Sequence, residues 1–158
     1  MENDPNESPI YAQRRIEAKI LKHVYDALCG THGKDVAAAT IKLAVRNASL
    51  EQAGEIAADT ETSLRSFQEI YELWTRGGAL ETEVLSATDD VFDFNVTRCR
   101  YSEMYKEMGL GEIGHLLSCQ RDGTFCEGYD ERIEMTRTQT IMQGASHCDF
   151  RYKMKASK

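Results

Sequence analysis

The stretch Gly77-Gly78-Ala79-Leu80-Glu81-Thr82-Glu83-Val84-Leu85-Ser86-Ala87-Thr88-Asp89-Asp90-Val91-Phe92-Asp93-Phe94-Asn95-Val96-Thr97-Arg98-Cys99 is where the chain changes its period. Upstream of it, apolar residues recur every three or four positions, the spacing of a helix with one buried face. Downstream they alternate. Two runs rich in β-branched and aromatic residues, 80–85 and 91–101, flank the turn-like segment 86–90. On the second run Phe92, Phe94, Val96 and Arg98 fall on one face, and Asp93, Asn95, Thr97 and Cys99 on the other. Helices first and strands afterwards predict an α+β fold: an N-terminal helical layer packed on an antiparallel sheet of about four strands.

Working back from Gly77, residues 64–74 carry the stripe Leu64, Phe67, Ile70, Tyr71 and Trp74, with caps available between Thr60 and Ser63. A longer, Ala-rich helix is predicted over 35–59, with a possible break where its apolar face drifts around Asn47-Ala48-Ser49. Before it, Ser8-Pro9 has the form of an N-cap followed by proline at the first helical position. Ile16, Ile20, Val24 and Leu28 then repeat at i+4 as the expected buried face, with Leu21 and Tyr25 beside them. Gly30 is the expected left-handed cap. Residues 1–7 are expected to be a disordered lead, and 8–158 a single domain.

Working forward, a short helix is predicted over 102–108 with Ser102 as its cap, and another over 111–122 ending at Asp122-Gly123. Two strands, 133–142 and 147–154, should close the sheet around a turn at Gly144-Ala145-Ser146. On the last strand Cys148, Phe150, Tyr152 and Met154 alternate with His147, Asp149, Arg151 and Lys153.

A chain of 158 residues with 41% hydrophobic and 28% charged residues is an ordinary globular composition, large enough for one core. Its net charge of −7 argues against a nucleic-acid partner, since phosphate binding needs clustered Lys and Arg. No apolar run approaches the roughly 20 residues of a membrane span. The acidic start, Met1-Glu2-Asn3-Asp4, is unlike a secretory signal, so a cytoplasmic location is expected. The five cysteines are odd in number and widely spaced, as expected of free thiols in a reducing compartment. The composition is compatible with a homo-oligomer.

The groups able to carry chemistry crowd the second half. His115, Cys119 and Asp122 follow helical spacing (i+4, then i+3), and an imidazole beside a thiol can hold it as thiolate. The alternative is that Cys119 simply packs, with Asp122 in water at the helix end. His147 and Asp149 share a strand face. Cys148 belongs by pleat with the core residues, where a thiol is usually inert. Arg137, among Thr136, Thr138 and Thr140, either pairs with a carboxylate such as Glu134 or binds an anion through its planar fork. Arg98 is a second such candidate. A zinc site built from Cys119, His147 and Cys148, with Cys99 or Cys126, is the competing chemistry. The spacing does not demand it, because His147 and Cys148 point to opposite faces. Neither a metal nor a cofactor is therefore expected, and a small-molecule substrate is the expected partner.

At these residues the chain resembles the L-2-amino-thiazoline-4-carboxylic acid hydrolase family. The resemblance rests on Arg98-Cys99-x-Tyr101, Tyr105 with Gly109, Cys119-x-x-Asp122, Arg137-Thr138-x-Thr140, and Gly144-x-x-x-Cys148-Asp149-Phe150-Arg151. It spans about residues 30–155, and Tyr152 stands where the family pattern closes on tryptophan. It implies ring-opening hydrolysis of a cyclic isothiourea to N-carbamoyl-L-cysteine, on a bacterial route to cysteine. It also implies roles: Asp122 or Asp149 facing the developing positive charge, His147 as base, and Cys119 as nucleophile if catalysis is covalent. Cys148 joins that catalytic group. Arg137 or Arg98 would clamp the substrate carboxylate, with Cys99 and Thr138 in the substrate-binding group. The Gly-x-x-x-Cys-x-Phe ending also resembles vinyl-reductase-type small-molecule sensor domains, which bind a ligand or metal without turnover. A scaffolding domain with no pocket is the third reading.

Overall fold

The computed structural model describes residues 6–156. Among them, five α-helices and four strands run in the order α1 (Pro9–His32), α2 (Lys34–Ala58), α3 (Leu64–Thr75), β1 (Leu80–Ala87), β2 (Val91–Cys99), α4 (Arg100–Glu107), α5 (Gln120–Tyr129), β3 (Ile133–Thr136) and β4 (Cys148–Met154). The architecture is α+β, with the helical layer on an antiparallel sheet of strand order β1-β2-β4-β3. Residues 1–5 of the expected lead lie outside the described residues. Glu7, at its end, forms an ion pair with Arg15 at 2.6 Å.

Local signals explain most boundaries. Ser8 caps α1 by accepting from the Tyr11 amide at 3.1 Å, and Pro9 follows at the first turn. Ser63 and Ser66 cap α3 reciprocally. Three boundaries differ from the sequence reading. Gly30 lies inside α1, and the left-handed residue that ends the helix is Gly33, with φ of 85°. α2 runs unbroken through Asn47-Ala48-Ser49, because the drift places small Ser49 and Ala53 against neighbouring helices. α4 begins at Arg100, capped by the Cys99 thiol, which accepts from the Ser102 amide at 3.4 Å.

The face of α1 that packs is also not the one expected. Ile16 and Ile20 are each 63% exposed, whereas Ile10, Arg14 and Ala18 are buried, with Leu21 and Tyr25 packed against the core. A hydropathy reading passes over this stripe because an arginine and an alanine sit in it. The arginine lines a cavity.

The sheet's inner face follows the pleat. Phe94 opposes Phe150, Phe92 opposes Tyr152 and Val96 opposes Cys148 across β2 and β4. These six are buried under Phe67 of α3 and Phe125 and Tyr129 of α5. A second apolar cluster joins α1, α2, α4 and the segment 113–117. Trp74, Leu80 and Cys99 pack against both clusters, and the candidate site opens at this seam.

Between α4 and α5, residues His115–Cys119 form a π turn leading directly into α5. The helix therefore does not end at Asp122-Gly123 but continues to Tyr129. β3 is likewise shorter than read, ending at Thr136. Beyond it Asp149 captures the backbone amides of Thr138 and Gln139, at 2.9 Å each, so those groups leave the strand ladder. A single 3-10 turn at Ile141–Gln143, capped by Thr140, replaces the rest of the expected strand.

Candidate small-molecule site

A cavity with about 60 Å³ of water-accessible space lies between α1, α3, α5 and the inner face of the sheet. That is room for several waters or one compact ligand. Its walls combine aromatic and aliphatic side chains (Tyr71, Trp74, Leu80, Val96, Tyr101, Phe150) with a polar set: Arg14, Ser118, Cys119, Arg121, Asp122, Arg137, Cys99 and Cys148.

The centre of the polar set is an ion pair. Arg137 Nη1 donates to Asp122 Oδ2 at 2.5 Å, and its Nη2 donates to the Cys119 carbonyl at 2.9 Å. The guanidinium lies over the Phe150 ring, 5.0 Å from its centroid. Asp122 therefore lies in the first turn of α5 and lines the cavity, and is not at an exposed helix C-terminus. Burial pushes its carboxyl above the usual value, and the opposing pull of Arg137 does not fully cancel this. For Arg137 burial acts downward, but the Asp122 charge and hydrogen bond together outweigh it and the guanidinium is held more firmly protonated.

Three thiols face the same space. Burial, followed by the Asp122 charge, raises the Cys119 thiol far above its usual value. Burial likewise pushes Cys99 up to about 12, and raises Cys148. Their sulfurs have structural tasks as well: Cys99 caps α4, and Cys148 accepts from the Ile141 amide at 3.2 Å. All three are thiols, not thiolates, at neutral pH. The imidazole expected to activate Cys119 is elsewhere. His115 lines a surface depression with Tyr25, Lys34 and Asp35, because the π turn shifts the phase between it and Cys119.

Four other expected site residues also stand away from the cavity walls. Arg98 is exposed and bound to Glu103 at 2.8 Å and Glu81 at 3.4 Å, a surface cluster. Asp149 accepts from the Thr138 hydroxyl at 2.5 Å in addition to the two amides, and together they fix the loop that delivers Arg137. Burial acts upward on Asp149, but these hydrogen bonds outweigh it and lower its pKa. His147, just before β4, is hydrogen-bonded to Ser146 at 2.9 Å and Gln139 at 3.3 Å. Among the described residues no three His, Cys, Asp or Glu side chains are set to hold a metal, so the cysteine–histidine zinc arrangement is not assembled.

The sequence reading missed Arg14, Tyr71, Tyr101 and Arg121 as wall residues. Arg14 Nη1 pairs with Glu17 at 3.0 Å, and Arg121 Nη2 pairs with the same carboxylate at 2.8 Å. Arg14 is carried to the cavity by the anchored start of α1, where the Ser8 hydroxyl donates to the Leu73 carbonyl at 2.5 Å. The available signal was an arginine in phase with Ile10 and Ala18.

The profile of the L-2-amino-thiazoline-4-carboxylic acid hydrolase family matches residues 13–152. The chain belongs to this family. The match begins one residue before Arg14 and takes in Arg121, Asp122 and Arg137, the charged walls of the cavity. No curated protein matches the chain. Among solved structures, it is similar in fold to the phenol-responsive sensory domain of the transcription activator PoxR, solved with phenol. The TM-score is 0.54 and the identity 13%, over 89% of this chain and 74% of that one. Among the described residues no helix is long and apolar enough to cross a membrane.

Proposed function

We propose that this family member is a hydrolase that opens a small cyclic isothiourea or amidine of the 2-amino-thiazoline-4-carboxylate type to an N-carbamoyl amino acid. The observation that carries the reading is the half-buried Asp122–Arg137 pair, which opens onto a compact cavity with three protonated thiols. Water adds to the ring carbon between nitrogen and sulfur. The C=N electron pair goes to the nitrogen, which is already protonated in the amidinium. The added oxygen then becomes the carbonyl and gives its remaining proton to solvent as the carbon's bond to sulfur breaks. The sulfur leaves with its electron pair. Asp122 takes the proton released by the water and returns it to the departing sulfur. Its raised pKa suits both halves of that transfer. Arg137 holds the Asp122 carboxylate in place, and the soft walls of Cys99, Cys119 and Cys148 pack against the sulfur side of the ring. Attack by water is favoured over attack by Cys119, because burial keeps that thiol protonated.

Purified protein incubated with 2-amino-thiazoline-4-carboxylate should release N-carbamoylcysteine, measured as free thiol and by mass. Asp122→Asn should lower kcat by about two orders of magnitude or more, as removal of a general base does. The acid limb of the wild-type rate profile should lie above the ordinary aspartate value of 3.8, because Asp122 must be ionised to work and its pKa is raised. A wild type that binds the compound but never turns it over would instead support a ligand-sensing module. The aromatic walls and the fold shared with the phenol-responsive domain favour that second reading.

A further inference from the structure

Two features of the cavity have no task in the hydrolytic step. One is the Tyr71 hydroxyl, which is buried and has no hydrogen-bond partner among the described residues. Burial raises its pKa far above the ordinary phenol value, so it keeps its proton and is a donor in search of an acceptor. The ring cannot easily swing away. It packs 4.7 Å from Phe94 and stacks on Trp74, centroid to centroid 6.4 Å. A buried polar group left unpaired costs stability, and such groups in native proteins call for an explanation.

The other feature is charge. Arg14 is 3% exposed and Arg121 7% exposed, and the two guanidiniums share the single carboxylate of Glu17. With the Arg137–Asp122 pair, three arginines face two carboxylates along this wall. Burial first, and then repulsion from Arg14, lowers the Arg121 pKa to about 10. The guanidinium stays protonated all the same, so the excess positive charge is permanent. Arg14, Tyr71, Arg121 and Asp122 also line a smaller adjoining cavity of about 20 Å³, so they stand where the two spaces meet.

We propose that Arg14, Arg121 and Tyr71 form a carboxylate subsite, so that the ligand of this cavity is a small zwitterion with its carboxylate on these groups and its cationic amidine toward Asp122. The proposal takes its substrate class from the hydrolase reading above and adds the residues that recognise the anion. Arg137 is not the clamp, because it has a carboxylate of its own in Asp122, whereas Arg14 and Arg121, held also by Gln52 and the Leu117 carbonyl, have one carboxylate between them.

Tyr71→Phe removes one oxygen and keeps the ring packing, so the variant should melt no lower than the wild type. The probes are thiazolidine-4-carboxylate, which cannot react, and its carboxylate-free parent, thiazolidine, both titrated calorimetrically. The wild type should prefer the carboxylate, and Tyr71→Phe should bind it about tenfold more weakly, the effect of one hydrogen bond to a charged group. Binding of thiazolidine should be equal in the two proteins. Equal affinity of both proteins for the carboxylate, or a wild type that does not prefer it over thiazolidine, overturns the subsite. Turnover of 2-amino-thiazoline-4-carboxylate separates the two ideas. Turnover with an unchanged KM in Tyr71→Phe keeps the hydrolase and removes the subsite. Tyr71-dependent carboxylate binding without turnover keeps the subsite and removes the hydrolase.

Discussion

Two aspartates with opposite pKa shifts set the behaviour of the site at the residue scale. Asp122 is buried and raised, Asp149 is hydrogen-bonded and lowered, and only Asp122 faces the cavity. Asp149 therefore contributes stability that is present above the ordinary aspartate value of 3.8 and is lost as pH falls through its lower folded value. Asp149→Asn should cost about 1 kcal/mol in urea unfolding at neutral pH, allowing for solvent screening of this half-buried group. The difference from the wild type should shrink on the acid side as the native carboxyl protonates. A constant difference from neutral to strongly acid solution would show that charge is not what Asp149 supplies to the loop. The thiols give a second check. Cys99 and Cys119 should react slowly with iodoacetamide in the native protein at neutral pH and rapidly once unfolded, as read by mass spectrometry. Fast native labelling of Cys119 would restore a thiolate nucleophile to the mechanism.

Close contact between α2 and α5 holds the site at the scale of elements. A methyl group placed on Gly128 would lie 2.9 Å from Ala53 Cβ and 2.9 Å from the Leu50 carbonyl oxygen, and backbone cannot move aside as a flexible side chain can. Gly128→Ala should therefore destabilise the fold by about 1–3 kcal/mol, despite alanine's better helix propensity, with the melting temperature as the readout. An unchanged or higher melting temperature would mean that the helices can part at no cost. The same element carries Arg121 and Asp122, so a lower melting point should come with weaker ligand binding. The π turn ahead of α5 has its own consequence: it sends His115 to the surface while Cys119 looks inward.

At the scale of the molecule, the cavity exists because two apolar clusters meet without fusing. The aromatic sheet cluster and the helical cluster share Trp74, Leu80 and Cys99 along their boundary, and the charged groups collect there. Arg14 comes from α1, Tyr71 from α3, Arg121 and Asp122 from α5, and Arg137 from the loop after β3. These elements are distant in sequence, so the site depends on the whole fold being in place.

The sequence by itself determined the order of helices and strands, the four-stranded sheet, the inward face of β2 and β4, the cap at Ser8 and a cap for α3 between Thr60 and Ser63. Each of these follows from short-range physics: period two against period 3.6, and a side-chain oxygen placed before a helix. It also singled out Cys99, Cys119, Asp122, Arg137 and Cys148, all of which reach the cavity. Tertiary structure decided the rest. The buried face of α1 was hidden because an arginine occupies it, so average hydropathy pointed to Ile16 and Ile20, which face solvent. The truncation of β3 depends on Asp149 capturing amides eleven and ten residues upstream, a competition that periodicity cannot register. The Glu17 carboxylate shared by Arg14 and Arg121 joins residues more than a hundred positions apart. Such a pairing is set by which faces the packed helices turn toward one another, and no local pattern encodes it.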